Sequence, residues 1–342
     1  MRVVLLVGLV GALLVQGCDQ VTSFPTVADA AIPAGWTRIP AGTANLNAVS
    51  GLSDSAVWMV GDHGTIGYWN GTSLVFETSG TTATLRGVWA VDAEHVYAVG
   101  DSGTILLRQA NVWQPVGPKV TPQVLTAVWG DTSGRVVAVG SNGTIVLGTT
   151  ATGYKLVPNI DAKTTLPYSE NLFGVTGTAG GPVFVVGALG ILVQIDAAGT
   201  ASTSSITSSS TKLLSGATTG ANGSFFVGQQ GQVFSSTAAG VTSVLGCPET
   251  ALRAVTTTPG LSPVAWAAGW DGTICKIVGT TGTSFPYGDA RWFNGIYAAS
   301  PTALWVVGAS GTLLHGLPTA PAIDGGAADA VVTDGAGLEG GG

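Results

Sequence analysis

The chain has 342 residues and a formal net charge of −7, from 12 Lys+Arg against 19 Asp+Glu. Charged residues make up only 9% of it, too few cations for a protein that displaces the counterions of a nucleic acid. With 45% hydrophobic residues and 52 glycines, it is equally unlike a charged disordered polymer and has the apolar mass for a large core.

Met1-Arg2 precedes an apolar run from Val3 to Val15, which ends in Gln16-Gly17-Cys18. One positive charge, about a dozen apolar residues and a small residue before the cut are the organisation of a cleaved leader. The run is shorter than the roughly 20 residues of a permanent spanning helix. Val15-Gln16-Gly17-Cys18 resembles the lipobox of bacterial lipoproteins, with Gln16 where a small residue is more usual. The resemblance implies a signal peptide over residues 1–17, cleavage before Cys18, and palmitate-type acylation of the Cys18 sulfur and new amino group. The chain would then be lipid-anchored in the bacterial cell envelope, periplasmic or on the outer surface. Residues 18–35 show no periodicity and read as the lipidated Cys and a flexible tether. Residues 317–342 are Gly/Ala-rich and acidic, a composition predicted to be disordered.

Between these ends lies a repeat. A Gly-x-x-Gly pair follows a short apolar run at Gly61/Gly64, Gly100/Gly103, Gly140/Gly143, Gly187/Gly190, Gly228/Gly231, Gly269/Gly272 and Gly308/Gly311. The first glycines are 39, 40, 47, 41, 41 and 39 residues apart. Each unit reads as four strands. Strand A is Leu-x-x-Val, as in Leu46–Val49 and Leu85–Val88. Strand B ends at the first glycine, as in Val57-Trp58-Met59-Val60-Gly61, and strand C follows the second. Strand D is typified by Val112-Trp113-Gln114-Pro115-Val116. Gly-Asp-x-Gly and Gly-Ser-x-Gly are turn chemistry, so the pairs are predicted B–C hairpin turns, the glycines supplying positive φ.

Strand B is apolar at successive positions, for instance Tyr97-Ala98-Val99 and Trp305-Val306-Val307. A sheet buried on both faces is stacked between neighbours. Stacked four-stranded units of about 40 residues close into a β-propeller. The seventh unit lacks its strand D, and Trp36-Thr37-Arg38-Ile39-Pro40 looks like a strand D without a blade. The fold class is therefore all-β: a seven-bladed β-propeller over residues 36–316, four antiparallel strands per blade, with the N-terminal strand closing the last blade. Such closure removes exposed sheet edges and resists fraying.

The pattern Leu-x-x-Val-Trp … Val-Trp-x-Val-Gly-Asp-x-Gly-Thr-Ile resembles the BNR-like propellers grouped with photosystem II assembly factors and with many bacterial lipoproteins. In propellers of this kind strand A lines the central channel, and the D–A loops and B–C turns share one face. The residue after the strand A Leu reads as Asn47, Arg86, Thr126, Phe173, Leu214 and Arg253 in the first six blades. Asn294 takes the place in the seventh, with Arg291 just upstream. Arg253, Arg291, Asn294, Asn47 and Arg86 are thus predicted to form an anion-binding arc at one end of the channel, because guanidinium groups suit carboxylates and phosphates.

Other residues carry less chemistry. Asp62, Asp101 and Asp271 fall in B–C turns and are read as one turn-capping position, not as metal ligands. Cys247 and Cys275 are the two thiols left after Cys18, and two thiols in an exported chain suggest a disulfide. With no matching His pair they are poor zinc ligands, so no metal site is assigned. No nucleotide, flavin or haem motif is present, and no cofactor or catalytic set is assigned.

Two functions follow as expectations. The first is a lipid-anchored envelope scaffold that binds a protein partner through the loops 77–84, 117–124, 158–171, 200–212 and 281–291. The second is carbohydrate recognition, with or without sialidase-like glycoside hydrolysis, at the channel mouth around Arg86, Arg253 and Arg291. Arginine clusters on BNR-like repeats resemble sialidases, which grip a carboxylate with three arginines beside a Tyr/Glu pair, but here the Asp-box pattern is not intact. Tyr168 and Glu170 lie together in the longest D–A loop without forming an assignable pair.

Overall fold

The structure, a computed structural model, describes residues 32–159, 168–205, 214–220, 223–237, 240–260 and 264–318. The segment expected to be a leader, Cys18, most of the expected tether and the tail from residue 319 lie outside the described residues, as do parts of two candidate loops (160–167 and 206–212). Seven four-stranded antiparallel sheets follow one another along the chain. In each, strand A is innermost. These inner strands are Leu46–Ser53, Leu85–Ala90, Leu125–Gly130, Leu172–Gly177, Leu214–Gly220, Leu252–Thr257 and Phe293–Ser300. The seventh sheet is completed from the other end of the chain. Trp36–Arg38 pairs antiparallel with Thr312–Gly316, in register Trp36↔Gly316, Thr37↔His315 and Arg38↔Leu314.

The core sits between blades because strand B is apolar on both sides. Trp58, Tyr97 and Trp305 are all buried, as are Met59, Ala98 and Val306, which point the other way. The hydrophobic clusters join consecutive blades: Trp58 and Val60 of blade 1 pack with Leu85, Val88 and Val96 of blade 2. At about 1.5–3 kcal/mol per large side chain buried, blade stacking is the main source of stability.

The two turn glycines serve different ends. The second glycine takes the expected positive φ, as at Gly103 (φ +67). The first does not: Gly61 is extended, at φ −159. It is needed because a Cβ there would lie 2.1 Å from the Asn45 carbonyl oxygen. The residue before the second glycine is also left-handed in every turn, from His63 (φ 57) to Ser310 (φ 53).

Cys247, just after strand D of blade 5, is joined to Cys275 in strand C of blade 6 (S–S 2.07 Å). The bond fastens two neighbouring blades at their outer strands. It also fixes the choice at Gly282, where a Cβ would come within 2.7 Å of the Cys247 Sγ.

Candidate functional site: the channel mouth

All seven inner strands line one central channel of about 650 Å³. Each carries a register shift after its first residue, between Leu46 and Ala48 in blade 1 and at the equivalent place in the other six. The extra residue of a bulge is released from the ladder and its side chain is re-aimed. Those residues are Asn47, Arg86, Thr126, Phe173, Ser215, Arg253 and Asn294, and they ring the channel mouth. One differs from the sequence reading. Leu214 pairs with Gly228 as Leu46 pairs with Gly61, so Leu214 is the first strand A residue of blade 5 and Ser215 is its bulge residue. The position after each bulge is Ala or Gly, because inner strands approach closely there: a Cβ on Gly87 would lie 3.0 Å from the Ala127 Cα.

Four bulge side chains are spent on the next blade. Asn294 Nδ2 donates to Leu46 O (3.0 Å), Asn47 Nδ2 to Leu85 O (2.9 Å) and Thr126 Oγ1 to Leu172 O (2.6 Å), while Ser215 Oγ donates to Leu252 O. Each ties one inner strand to the first residue of the next blade's inner strand. Blades 2, 4 and 6 carry Arg86, Phe173 and Arg253 instead, and these make no such link.

The two mouth arginines differ. Arg86 is neutralised within its own blade: its Nε lies 2.5 Å from Asp101 Oδ1 and its Nη2 donates to Oδ2 at 3.2 Å. Arg253 has no hydrogen bond or ion pair among the described residues. It opens onto the channel, and desolvation by the rim followed by the like charge of Arg86 lowers its pKa below the ordinary arginine value. The turn acids follow the same split. Asp62 and Asp101 open their turns and accept from side chains in or next to the inner strand, Asp62 from Asn45 (2.8 Å), just before the strand, and from Asn47 (3.0 Å). Among the described residues these carboxylates accept from side chains and not from a backbone amide. Asp271 stands one residue later, in the left-handed position (φ 53), so the three acids are not equivalent.

Asn47, Arg86, Arg253 and Asn294 are brought together at the mouth; Arg291 is not. Its side chain is held against Asp289 (2.5 Å) and over the Tyr287 ring, away from the channel lining. Tyr168 is buried in the packing between blades 3 and 4, and the nearby Glu170 carboxylate accepts from the Ser169 amide. Sequence reasoning missed an aromatic pair. Trp270, in the blade 6 turn, stacks on Trp292 with ring centroids 5.0 Å apart and planes 14° apart. Trp292 is 51% exposed. Leu189, at the tip of the blade 4 turn on the same face, is 53% exposed. Among the described residues no cluster of His, Cys, Asp or Glu is placed to hold a metal ion, and no helix is long and apolar enough to cross a membrane.

The fold and its bulge-ringed mouth define a seven-bladed β-propeller. No family model and no curated protein matches the chain. Solved structures do. The chain is similar to YCF48 bound to D1 peptide, at 16% identity over 84% of this chain and 98% of that one (TM-score 0.63). YCF48 from Cyanidioschyzon merolae matches at 14% identity over 83% and 99% (TM-score 0.64). A catalytically inactive virginiamycin B lyase from Staphylococcus aureus, with quinupristin, matches at 13% identity over 82% and 99% (TM-score 0.70). At such identities the likeness is one of fold.

Proposed function

We propose that this chain is an envelope lipoprotein whose propeller holds a protein partner at the channel mouth. In this reading residues 1–17 are removed, Cys18 is acylated, and residues 19–35 hold the propeller off the lipid surface. One observation carries the binding assignment. The mouth spends its Asn, Thr and Ser side chains on neighbouring blades and leaves Arg253 without a counter-charge, while Leu189 and Trp292 are exposed on the same face outside the channel lining. A sugar ring needs many polar partners, whereas a peptide supplies apolar side chains and a few charges. The fold suits this use, since rigid blades present variable loops on one face. A similar propeller, YCF48, is known bound to a D1 peptide.

In-cell crosslinking of the tagged chain, followed by affinity purification and mass spectrometry, tests this proposal. One envelope protein recovered in stoichiometric amount, and lost when loops 77–84 and 117–124 are exchanged, is the expected result. Recovery of no protein partner contradicts it.

A further inference from the structure

The repeat permits an internal comparison. Asp101 N donates to Thr84 O (2.9 Å) at the opening of the blade 2 turn, and Trp270 N donates to Ala251 O (2.9 Å) at the opening of the blade 6 turn. Thr84 and Ala251 each immediately precede the first inner-strand residue, so Asp101 and Trp270 hold the same place in their blades. Arg86 and Arg253 are equivalent too, each being its blade's bulge residue. In blade 2 the turn supplies a carboxylate to the arginine. In blade 6 the turn supplies an indole, and the arginine has no acid. The next residue, Asp271, does not replace it: it makes no ion pair with Arg253.

Trp270 gives the fold little in return. Its Nε1 is buried without a hydrogen-bond partner among the described residues, a defect that stability alone does not favour. What it does provide is a stacking partner for Trp292, which is 51% exposed. Gln229, in the blade 5 turn, is exposed and lines the same cavity as Arg253, adding a side-chain amide to that part of the rim.

We infer that Arg253 takes a carboxylate from a bound peptide, in the place that Asp101 fills for Arg86, and that the apolar residue next to that carboxylate lies against the Trp270–Trp292 stack. The guanidinium fork donates two parallel N–H···O bonds to a carboxylate. The aromatic pair adds contact area at low entropic cost. This rests on the protein-binding reading above and narrows it to acidic or C-terminal peptide segments with a neighbouring apolar side chain.

The test uses the full-length chain in detergent and four probes, followed by calorimetry and tryptophan fluorescence. The probes are acetyl-Ala-Ala-Phe with a free carboxyl end, its C-terminal amide, acetyl-Ala-Phe-Glu-Ala-amide, and sialyllactose. At least one of the two carboxylate peptides is expected to bind about tenfold or more tightly than the neutral amide. Which of the two binds tells whether the carboxylate is terminal or on a side chain. Arg253→Gln is expected to remove that advantage. Trp270→Asp, which copies the blade 2 arrangement, is expected to abolish binding while melting no lower than the native chain, so a folding failure is told apart from a filled site.

Both carboxylate peptides binding within about twofold of the neutral amide would overturn the inference. So would undiminished binding by Trp270→Asp, and so would sialyllactose binding in preference to both peptides. An Arg253→Gln chain that still captures the native crosslinked partner in full would remove the carboxylate site and leave the scaffold reading standing. Absence of any partner for the native chain would remove the scaffold reading itself.

Discussion

Asn294 of the last blade donates from Nδ2 to the carbonyl oxygen of Leu46 in the first, 3.0 Å away across 248 residues of sequence. It is the ring-closing member of the set of inner-strand links. It acts at the mouth, while the pairing of Trp36–Arg38 with Thr312–Gly316 closes the same seam within blade 7.

Removing a latch deletes a hydrogen bond between neighbouring inner strands. Asn294→Ala is expected to lower stability by about 1–2 kcal/mol in urea or thermal unfolding. Asn47→Ala is expected to cost more, because Asn47 donates both to Leu85 O and to Asp62. Arg253→Ala, at an unlatched place, is expected to leave the unfolding midpoint close to native.

The turn glycines separate two physical effects. Gly117 has φ +58 with open space around its Cβ position, so Gly117→Ala is expected to cost only the left-handed penalty of about 1–2 kcal/mol. Gly103 has φ +67 and a would-be Cβ 1.8 Å from the Thr121 carbonyl oxygen. Gly103→Ala is therefore expected to add an overpacking cost of about 1–3 kcal/mol or more to the same penalty. Parallel denaturation curves for the two variants measure the difference.

This much was legible in the sequence: the period of about 40, the strand D supplied by residues 36–40, and the inner-strand position facing the mouth. All rest on side-chain alternation and turn spacing. The blade-to-blade links were not legible, because a hydrogen bond to a neighbouring blade depends on stacking geometry that alternation does not encode. Leu214 was displaced from its true place because Leu213-Leu214 offers two registers for one Leu. Arg291 was drawn into the arc by nearness in sequence to Asn294, whereas the loop folds it onto Asp289. Trp270 could have been found by aligning the seven turns residue by residue, which sets it beside Asp62 and Asp101.

The Cys247–Cys275 bond spans 28 residues of sequence. On chain-entropy grounds its loss is expected to cost about 3–4 kcal/mol. Denaturant midpoints of the native chain with and without reductant, against a Cys247→Ser/Cys275→Ser chain insensitive to reductant, give the value.

Asp131 makes stability depend on acid. Burial alone would raise its carboxyl pKa; bonds from the Ser133 side chain and amide and the Gly180 amide, with the charge of Arg135, outweigh that and hold it below 3.8. A folded pKa below the unfolded one gives stability that is present above about pH 4 and lost as pH falls through the folded value. Urea midpoints are therefore expected to fall more steeply below about pH 4 in the native chain than in Asp131→Asn.

In the proposed function one face of the propeller, the channel mouth, receives a protein. Photo-crosslinking amino acids placed singly at Leu189 and Gln230 on that face, and at Ser55 and Ser133 on the opposite face, test it most directly in cells. A single protein adduct from the two mouth positions, absent from the other two, is the expected result. Equal adducts from both faces, or none from the mouth, would contradict it.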